Sequence, residues 1–303
     1  MINQAYRLIA PKQIRADFVD LKMDDENIIV RPTYLSICAA DQRYYTGSRG
    51  RVIMKQKLPM ALIHESVGEV VYDPKGEYKV GTNVVMIPNT PMEKDDIIKE
   101  NYLRSSQFRA SGFDGFMQNV VSMRRDLIIP FKMEPRVAVL LELTSVVMNA
   151  VENFKKISNE RKNVIGIWGN GNLGFISALV LKKTYPDTKI IVFGVEEHKM
   201  AYFSFVDDTY LINNIPSDLK VDHAFECVGG RGSEAAINQI IDYIQPQGTI
   251  SLMGVSETPV GINTRMVLEK GLTLLGNSRS NYDDFKKSVE LMETYPDVCE
   301  YLS

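Results

Sequence analysis

The stretch NVIGIWGNGNLGFISALVLKKTYP, residues 163–186, decides the fold of this chain. Its apolar start predicts a buried strand, and its second half predicts a helix. Between them, Gly169, Gly171 and Gly174 form the pattern G-x-G-x-x-G. Such glycines permit a tight turn, a close backbone approach to a pyrophosphate and close packing of helix on strand, while the helix N-terminus offers free N–H groups. The sequence therefore predicts a dinucleotide-binding unit, and a glycine turn that binds no nucleotide is the alternative.

Apolar strands alternate with helices beyond this unit, which is typical of a parallel sheet covered on both faces. Further strands are predicted at residues 189–194, 209–212, 223–229, 249–254 and 272–277. The segment SEAAINQIIDYI, residues 233–244, spaces its apolar residues at helical intervals and predicts a crossover helix. Residues 146–277 are therefore predicted to form a Rossmann domain, a doubly wound α/β fold.

The first half of the chain has a different pattern. Residues 1–145 contain short segments rich in valine, isoleucine, tyrosine and threonine, separated by glycine, proline and charged turns. This pattern is typical of a mostly β domain. The polar stretch at residues 88–115, interrupted by prolines, predicts a lobe or lid, and residues 137–156 predict a long helix that links the two halves.

Composition and charge exclude several classes of protein. The 303 residues suffice for two domains, and 45% hydrophobic with 24% charged residues excludes a disordered chain. The 35 basic and 38 acidic residues give a net charge of −3 with no basic run, which disfavours nucleic acid as a partner. No stretch approaches the roughly 20 apolar residues of a membrane span, and the N-terminus lacks the apolar core of a signal peptide, so a cytoplasmic protein without membrane partners is expected.

The three cysteines are Cys38, Cys227 and Cys299. An odd number of cysteines, spread widely through a large chain, argues against a disulfide framework.

The end of the second strand of the Rossmann domain bears on the choice of nicotinamide cofactor. An acidic residue there binds the ribose 2′-hydroxyl and repels a 2′-phosphate. The strand runs into Gly194, with Glu196 and Glu197 two and three residues later, followed by His198 and Lys199. We expect NADPH, because Gly194 leaves room for a phosphate and Lys199 could neutralise it. Lys199 as a solvated helix residue is the alternative.

Candidate metal ligands lie in the β-rich half. Cys38 follows an apolar strand, and His64 and Glu65 begin a valine-rich one. Together they offer the sulfur, nitrogen and oxygen ligands that a catalytic zinc uses while one coordination position stays open. Taken singly, a cysteine in this setting is more often a small core residue. Both interpretations stay open on the residues alone.

With those residues located, the chain resembles the zinc-dependent medium-chain dehydrogenase/reductases, the alcohol and polyol dehydrogenase superfamily, over nearly its whole length. The matching motifs are I-C-x-x-D at Cys38, His64-Glu65 before V-G-x-V, and Glu142 in LLELTSV. The resemblance implies a GroES-like β-rich catalytic domain, to which residues 278–303 return. It also implies that Cys38, His64 and Glu142 are catalytic zinc ligands, with Glu65 as a fourth or interchangeable one.

The resemblance extends to the cofactor site, through E-C-V-G-G at residues 226–230 and through Arg279 as a partner of the pyrophosphate. The residues predicted to bind the cofactor are Gly169, Gly171, Asn172, Leu173, Gly174, Gly194, Lys199, Cys227, Val228, Gly229 and Arg279.

Within the superfamily, long stretches such as SICAADQRYYTGSR and PNTPMEKDD resemble the NADPH-dependent ribulose-5-phosphate reductases of CDP-ribitol synthesis. This resemblance implies reduction of D-ribulose 5-phosphate at C2 to D-ribitol 5-phosphate, which supplies cell-wall teichoic acid synthesis. Zinc would act as a Lewis acid on the C2 carbonyl oxygen. A homo-oligomer, dimer or tetramer, is expected, acting with a cytidylyltransferase of the same pathway.

The sugar phosphate needs a cationic partner. Arg43, Arg49 and Arg51 are candidates in the predicted loop after Cys38, because an arginine fork suits phosphate. Solvated loop charges are the alternative for each of them.

Three departures from the superfamily pattern stand out. The lobe at residues 88–115 has no cysteines, so we expect one catalytic zinc and no structural zinc. Ala40 replaces the usual proton-relaying hydroxyl, a role that Tyr44 or Tyr45 could take. The chain stops at Ser303, where relatives continue through a helix and a strand, so an unpaired sheet edge is expected.

Two rival functions remain open on the sequence. One is an NAD-dependent polyol or alcohol dehydrogenase that oxidises an unphosphorylated sugar alcohol. The other is a C-terminally truncated, non-catalytic subunit that binds nucleotide.

Overall fold

The structure is a computed structural model that describes residues 1–21 and 23–303. The chain forms two compact units. The first comprises Met1–Ser145 together with Arg279–Ser303, and the second comprises Val146–Ser278. None of the helices in the described ranges is long and apolar enough to cross a bilayer.

The strands are β1 (Ile2–Ala10), β2 (Gln13–Asp20), β3 (Asn27–Ser36), β4 (Met60–Ala61), β5 (Glu65–Tyr72), β6 (Asn83–Met86), β7 (Asn89–Thr90), β8 (Gln107–Phe108), β9 (Val121–Arg124), β10 (Ile128–Pro130), β11 (Val164–Trp168), β12 (Lys189–Gly194), β13 (Asp208–Leu211), β14 (His223–Glu226), β15 (Thr249–Leu252) and β16 (Thr273–Gly276). The helices are α1 (Ala39–Thr46), α2 (Arg51–Lys57), α3 (Pro135–Ala138), α4 (Leu141–Ile157), α5 (Asn172–Thr184), α6 (Glu197–Met200), α7 (Ser233–Tyr243), α8 (Thr264–Lys270), α9 (Tyr282–Thr294) and α10 (Pro296–Leu302).

The second unit is built on a six-stranded parallel sheet with the strand order β13-β12-β11-β14-β15-β16. The chain moves outward from β11 on one side and then starts again from β14 on the other. The order therefore reverses between β11 and β14, and the loop that follows β11 lies at this switch point, where such sheets bind nucleotides. The predicted Rossmann fold is confirmed.

Apolar side chains explain why these segments form a buried sheet. The residues of β11 and β12 are almost entirely buried, as expected for central strands of a parallel sheet with helices on both faces. The helix α7 packs Ile237, Ile240 and Ile241 on one face of the sheet, in a core with Trp168 and Phe193. These residues have the helical spacing seen in the sequence.

The first unit is mostly antiparallel. It contains a five-stranded sheet with the order β10-β6-β5-β3-β9, a three-stranded sheet β2-β1-β4, and a two-stranded ribbon of β7 and β8. The ribbon lies in the region predicted as a lobe. The β-rich, GroES-like character expected for this unit is confirmed.

The segment after Cys38 differs from the expectation. It was predicted as a loop, but residues 39–46 and 51–57 form the helices α1 and α2. Cys38 caps the N-terminus of α1 and Asp41 occupies the third helical position, which together form a capping box. Gly47 ends the helix in the left-handed conformation with φ of 75°. Local capping thus makes a polar, charged sequence helical.

The linking helix predicted over residues 137–156 is also divided. The structure has α3 and α4 separated by Val139 and Leu140. The Leu140 N–H bonds to the carbonyl of Val137, three residues back, so the chain tightens there before α4 begins.

Candidate metal and cofactor sites

Cys38 lies at the end of β3, where it caps α1. Its backbone N–H and its thiol both donate to Asp41 Oδ2, at 3.2 and 3.1 Å. Asp41 Oδ1 accepts a hydrogen bond from the N–H of Ile63 at 2.9 Å. One buried carboxylate therefore joins the two segments that carry Cys38 and His64.

The three predicted donors of the β-rich half meet. The Cys38 Sγ and His64 Nε2 atoms are 3.5 Å apart, and the ligand atoms of Cys38, His64 and Glu65 all lie within 4.8 Å of one another. We call these three residues the donor cluster. Ile63, directly before His64, has a φ of 71°, a strained conformation for a β-branched residue, and its hydrogen bond to Asp41 helps to hold it.

Glu142 lies near the donor cluster but outside its 4.8 Å group. It is in the first turn of α4 and is buried. Burial raises the pKa of this carboxyl well above its ordinary value, and repulsion from Glu65 and Asp41 adds to the shift. The structure thus places Glu142 within electrostatic reach of the donor cluster, and its role as a ligand stays a prediction.

The donor cluster has the electrostatics of a cation site. Burial raises the pKa of Glu65 to about 7, and burial followed by the charge of Asp41 raises the pKa of the Cys38 thiol. Burial lowers the pKa of His64, which favours the neutral imidazole that binds metals. Thiolate, imidazole and carboxylate are the zinc donors of catalytic sites, and a divalent cation would reverse the cost of ionising the acids. The residues therefore fit zinc.

Two arginines act on His64 electrostatically. The charges of Arg279 and Arg49 both lower the pKa of His64, after the larger effect of burial. The Arg279 guanidinium lies 4.6 Å from the centre of the Phe108 ring, and that ring is 5.2 Å from the His64 ring.

The three arginines predicted to bind the substrate phosphate lie on and between the helices α1 and α2. Arg43 is within α1 and Arg51 begins α2, while Arg49 lies between the two helices. The two tyrosines considered for proton transfer differ in setting, since Tyr44 packs in the core of the first unit and Tyr45 is exposed.

The glycine loop after β11 has the conformation that its sequence predicts. Gly169 has a φ of 121°, which favours glycine, and a Cβ at Gly174 would overlap the carbonyl oxygen of Gly169. Around Gly171 no heavy atom of the described chain lies within 4 Å of an added Cβ. Gly171 caps α5 without a side-chain hydrogen bond, so Asn172 and Leu173 begin a helix whose N-terminal N–H groups can bind an anion.

A second loop lies against this one. Gly169 is packed against the carbonyl of Cys227, whose own N–H bonds to the carbonyl of Trp168 at 2.7 Å. Val228 is partly exposed, and Gly229 has a φ of 64°. The structure therefore brings the predicted residues 169–174 and 227–229 together at the carboxyl ends of β11 and β14.

Gly194 is packed against Asn170. A Cβ at Gly194 would overlap the side chain of Asn170, which donates a hydrogen bond to the carbonyl of Glu196 at 2.8 Å. The missing side chain therefore makes room for Asn170, and the expected room for a phosphate stays a prediction. Lys199 lies one turn further on, with its Nζ 2.5 Å from Glu196 Oε1.

Sequence reasoning missed the supporting residues of both sites. Asp41 belongs to the I-C-x-x-D motif, and a carboxylate three residues after a helix cap is a capping-box signal that could have predicted its structural role. Nothing in the local sequence indicated the roles of Asn170 and Phe108, because their contacts come from distant segments.

Comparison with known proteins agrees with this fold. Residues 24–133 match the model of the alcohol dehydrogenase GroES-like domain, and residues 188–294 match that of the zinc-binding dehydrogenases. The L-idonate 5-dehydrogenase of Escherichia coli has a similar structure, with a TM-score of 0.87 at 18% identity over 97% of this chain and 88% of its own. The fold and the donor cluster thus define the class as zinc-binding dehydrogenases.

Relatives with higher sequence identity show to which family within this class the chain belongs. Ribulose-5-phosphate reductase 1 of Staphylococcus aureus is 56% identical over 100% of this chain and 89% of its own length, and the ribulose-5-phosphate reductase of Bacillus spizizenii is 54% identical with the same coverage. The crystal structure of S. aureus TarJ in complex with NADPH superposes with a TM-score of 0.88 at 50% identity, covering 100% of this chain and 88% of that one. The chain belongs to the ribulose-5-phosphate reductase family.

Proposed function

We propose that this chain transfers hydride from NADPH to C2 of D-ribulose 5-phosphate and so forms D-ribitol 5-phosphate for CDP-ribitol and teichoic acid synthesis. The names of the close relatives support the substrate, and the NADPH complex of S. aureus TarJ supports the cofactor. The observation that carries the proposal is the donor cluster, in which thiol, imidazole and carboxyl meet within 4.8 Å.

Cys38, His64 and Glu142 would hold one zinc, with Glu65, a member of the donor cluster, as a fourth or interchangeable ligand. When bound, zinc supplies a Lewis acid for the oxygen of a carbonyl or alkoxide. Asp41 fixes the segments that carry Cys38 and His64, so the donors are positioned before metal or substrate arrives. The absence of cysteines from residues 88–115 supports a single zinc.

The loop at residues 169–174, the loop at residues 227–229 and Lys199 would bind NADPH. When bound, this cofactor supplies the hydride. The free N–H groups at the start of α5 suit its pyrophosphate, and Gly171 leaves the backbone open to it. To contact a 2′-phosphate, Lys199 would have to break its ion pair with Glu196. Glu196 would therefore compete with the cofactor for the Lys199 ammonium group.

Arg49 is the preferred partner of the substrate phosphate, because its charge acts on His64, while Arg279 would contact the pyrophosphate of NADPH. Arginine suits this role through its planar fork of N–H donors. Arg43 and Arg51, also predicted from the sequence, are the weaker candidates, since they are carried by helices on either side of Arg49.

Residues 1–145 with 278–303 would form the zinc and substrate domain, and residues 146–277 the cofactor domain. Compact units that divide at Ser145 and Ser278 support this assignment. We further propose a cytoplasmic homo-oligomer, a dimer or tetramer, that acts with a cytidylyltransferase.

The deciding experiment follows the absorbance of NADPH with ribulose 5-phosphate, then with unphosphorylated ribulose, and then with NADH in place of NADPH. We expect consumption only with the phosphorylated ketose and a clear preference for NADPH. Equal kcat/KM for ribulose, together with a preference for NADH, would favour an NAD-dependent polyol dehydrogenase. Nucleotide binding without turnover, at any protein concentration with zinc present, would favour a non-catalytic subunit.

A further inference from the structure

The two-stranded ribbon of β7 and β8 presents two different faces. Asn89 lies opposite Phe108, and Thr90 lies opposite Gln107. The N–H of Arg109 bonds to the carbonyl of Pro88 at 3.1 Å, so Asn89 and Phe108 form a pair without backbone hydrogen bonds between them. In such pairs the two side chains share a face and approach most closely. Asn89 and Phe108 therefore point to the same side of the ribbon.

That side faces the donor cluster. The Phe108 ring is 5.2 Å from the ring of His64 and 4.6 Å from the guanidinium carbon of Arg279. Asn89 is thus the cross-strand neighbour of a ring that touches both a predicted zinc ligand and a predicted phosphate-binding cation.

The amide of Asn89 is buried with its hydrogen-bonding capacity unused. Asn89 is only 2% exposed, and neither its Oδ1 nor its Nδ2 atom has a hydrogen-bond partner within residues 1–21 and 23–303. Buried amides are normally paired, and a group left unpaired at a functional site calls for a ligand or an ordered water. Asparagine offers both an acceptor and two donors, which match a hydroxyl group that itself donates and accepts.

We propose that the Asn89 amide binds a hydroxyl of the pentose phosphate chain and so helps to select a polyhydroxylated substrate. This inference rests on the proposed function. A sugar chain carries a hydroxyl on nearly every carbon, and each one that leaves water needs a partner in the protein. Asn89 supplies such a partner on the face of the ribbon that Phe108 shares.

The opposite face provides a matched control. Thr90 and Gln107 line a separate cavity of about 300 Å³, on the side of the ribbon away from Phe108. Replacing Thr90 by valine removes a polar atom from the same short strand at nearly constant size. Perturbation of the ribbon as such would therefore affect Thr90→Val and Asn89→Leu alike.

The experiment compares Asn89→Leu, Asn89→Ala and Thr90→Val with the unaltered protein, all loaded with zinc and NADPH. We expect both Asn89 variants to lose roughly 10- to 100-fold in kcat/KM for ribulose 5-phosphate, mainly through KM, with unchanged zinc content and NADPH affinity. Thr90→Val should stay within about twofold. If leucine prevents folding, the smaller Asn89→Ala, which fits the space, provides the same comparison.

The 1-deoxy, 3-deoxy and 4-deoxy analogues of ribulose 5-phosphate distinguish recognition of a substrate hydroxyl by Asn89 from a purely structural role of this residue. With the analogue that lacks the contacted hydroxyl, the unaltered protein should lose activity and the Asn89 variants should lose no more. Equal losses of the variants on all three analogues, or an unchanged KM, would mean that water satisfies the amide and would overturn the inference. Absence of turnover by the unaltered protein would instead overturn the proposed function, and the inference with it.

Discussion

The buried carboxyl of Glu226 contrasts sharply with those of Glu65 and Glu142. In the second unit, Glu226 is fully buried and accepts hydrogen bonds from the N–H groups of Val228, Gly229 and Gly254 at 2.9 to 3.0 Å and from the Ser233 hydroxyl at 3.3 Å. Backbone N–H groups and one hydroxyl thus satisfy the Glu226 carboxylate within the protein. Glu226 therefore holds the loop after β14 in place as a structural anchor.

Glu65 and Glu142, two buried carboxyls of the first unit, lack such a set of donors. Burial raises the pKa of Glu65 to about 7, opposed only by the hydroxyl of Ser36, and burial also raises the pKa of Glu142 well above its ordinary value. The comparison teaches that burial alone does not mark a functional acid. A carboxylate ringed by N–H donors supports the fold, whereas one left without them needs a cation.

The largest effect is expected at the donor cluster. Cys38→Ser should remove the zinc and reduce turnover by roughly 1000-fold or more, because the metal loses its thiolate ligand. Metal analysis of the purified variant, together with NADPH consumption, checks this. Cys299→Ser is the control, since Cys299 donates to the carbonyl of Met292 on the C-terminal helices, and it should keep both properties. Unchanged zinc content in Cys38→Ser would refute the ligand assignment.

The contrast between Glu226 and Glu142 predicts that replacing glutamate by glutamine changes the stability of the protein in opposite directions at the two positions. Glu226→Gln should destabilise the protein by about 3 kcal/mol, since an amide nitrogen would face N–H donors. Glu142→Gln should leave the metal-free protein equally or more stable, by about 1 kcal/mol, because it removes an acid whose ionised form is disfavoured by burial without donors. Urea unfolding of the metal-free variants measures both. Equal destabilisation would show that the two acids serve the same purpose.

Substitutions at two glycines of the loop at residues 169–174 distinguish an effect on folding from an effect on cofactor binding. Gly174→Ala should cost about 2 to 3 kcal/mol of stability, because its Cβ would overlap the Gly169 carbonyl oxygen. Gly171→Ala meets open space, so thermal stability without cofactor should stay the same while the Kd for NADPH rises at least about tenfold. Thermal unfolding and fluorescence titration give the two values. A stable Gly174→Ala would contradict the packing argument.

His223 should make stability depend on pH. It is fully buried, its Nδ1 accepts the N–H of Thr249 at 3.0 Å, and burial lowers its pKa from 6.5 to about 4. Because the folded state disfavours the protonated ring, stability is complete above pH 6.5 and falls by about 3 kcal/mol as the pH decreases from 6.5 to 4.

Urea unfolding across this pH range should show a weaker dependence in His223→Gln. His198→Gln provides the control, since His198 is largely exposed and should leave the dependence unchanged. An identical pH dependence in His223→Gln and the unaltered protein would refute the assignment.

The smallest effect is expected at Lys199. Lys199→Gln should reduce the preference for NADPH over NADH by about tenfold, because it removes the cation proposed for the 2′-phosphate. The ratio of kcat/KM for the two cofactors measures it. Lys182→Gln removes a cation that is paired with Asp207 at 2.9 Å, and it should leave the ratio unchanged. A preference that survives in Lys199→Gln would assign the phosphate to other residues.

The sequence predicted the Rossmann half in detail because its signals are local. The glycine loop and apolar strands such as residues 164–168 need only near neighbours to be interpreted. The helix after Cys38 was missed because its polar sequence resembles a loop, and its stability comes from the cap at Cys38 and the left-handed Gly47. The packing of Gly194 against Asn170 gave no local signal, because Asn170 follows the neighbouring strand β11 and is distant in sequence.

The candidate metal site was predictable only in part. Resemblance implied Cys38, His64 and Glu142 as ligands, with Glu65 as a fourth or interchangeable one. The approach of Cys38 to His64 depends on Asp41, which joins two segments that are distant in sequence. Asn89 gave no signal at all, since an asparagine in a polar segment is ordinary until its burial and its neighbour Phe108 are known.

Zinc titration of the metal-free protein tests the account most directly, with calorimetry for binding and NADPH consumption for turnover. We expect one equivalent of Zn²⁺ per chain to bind with release of protons, and ribulose 5-phosphate reduction to return in proportion to the bound metal. Full reduction of ribulose 5-phosphate by protein that contains no metal would contradict it.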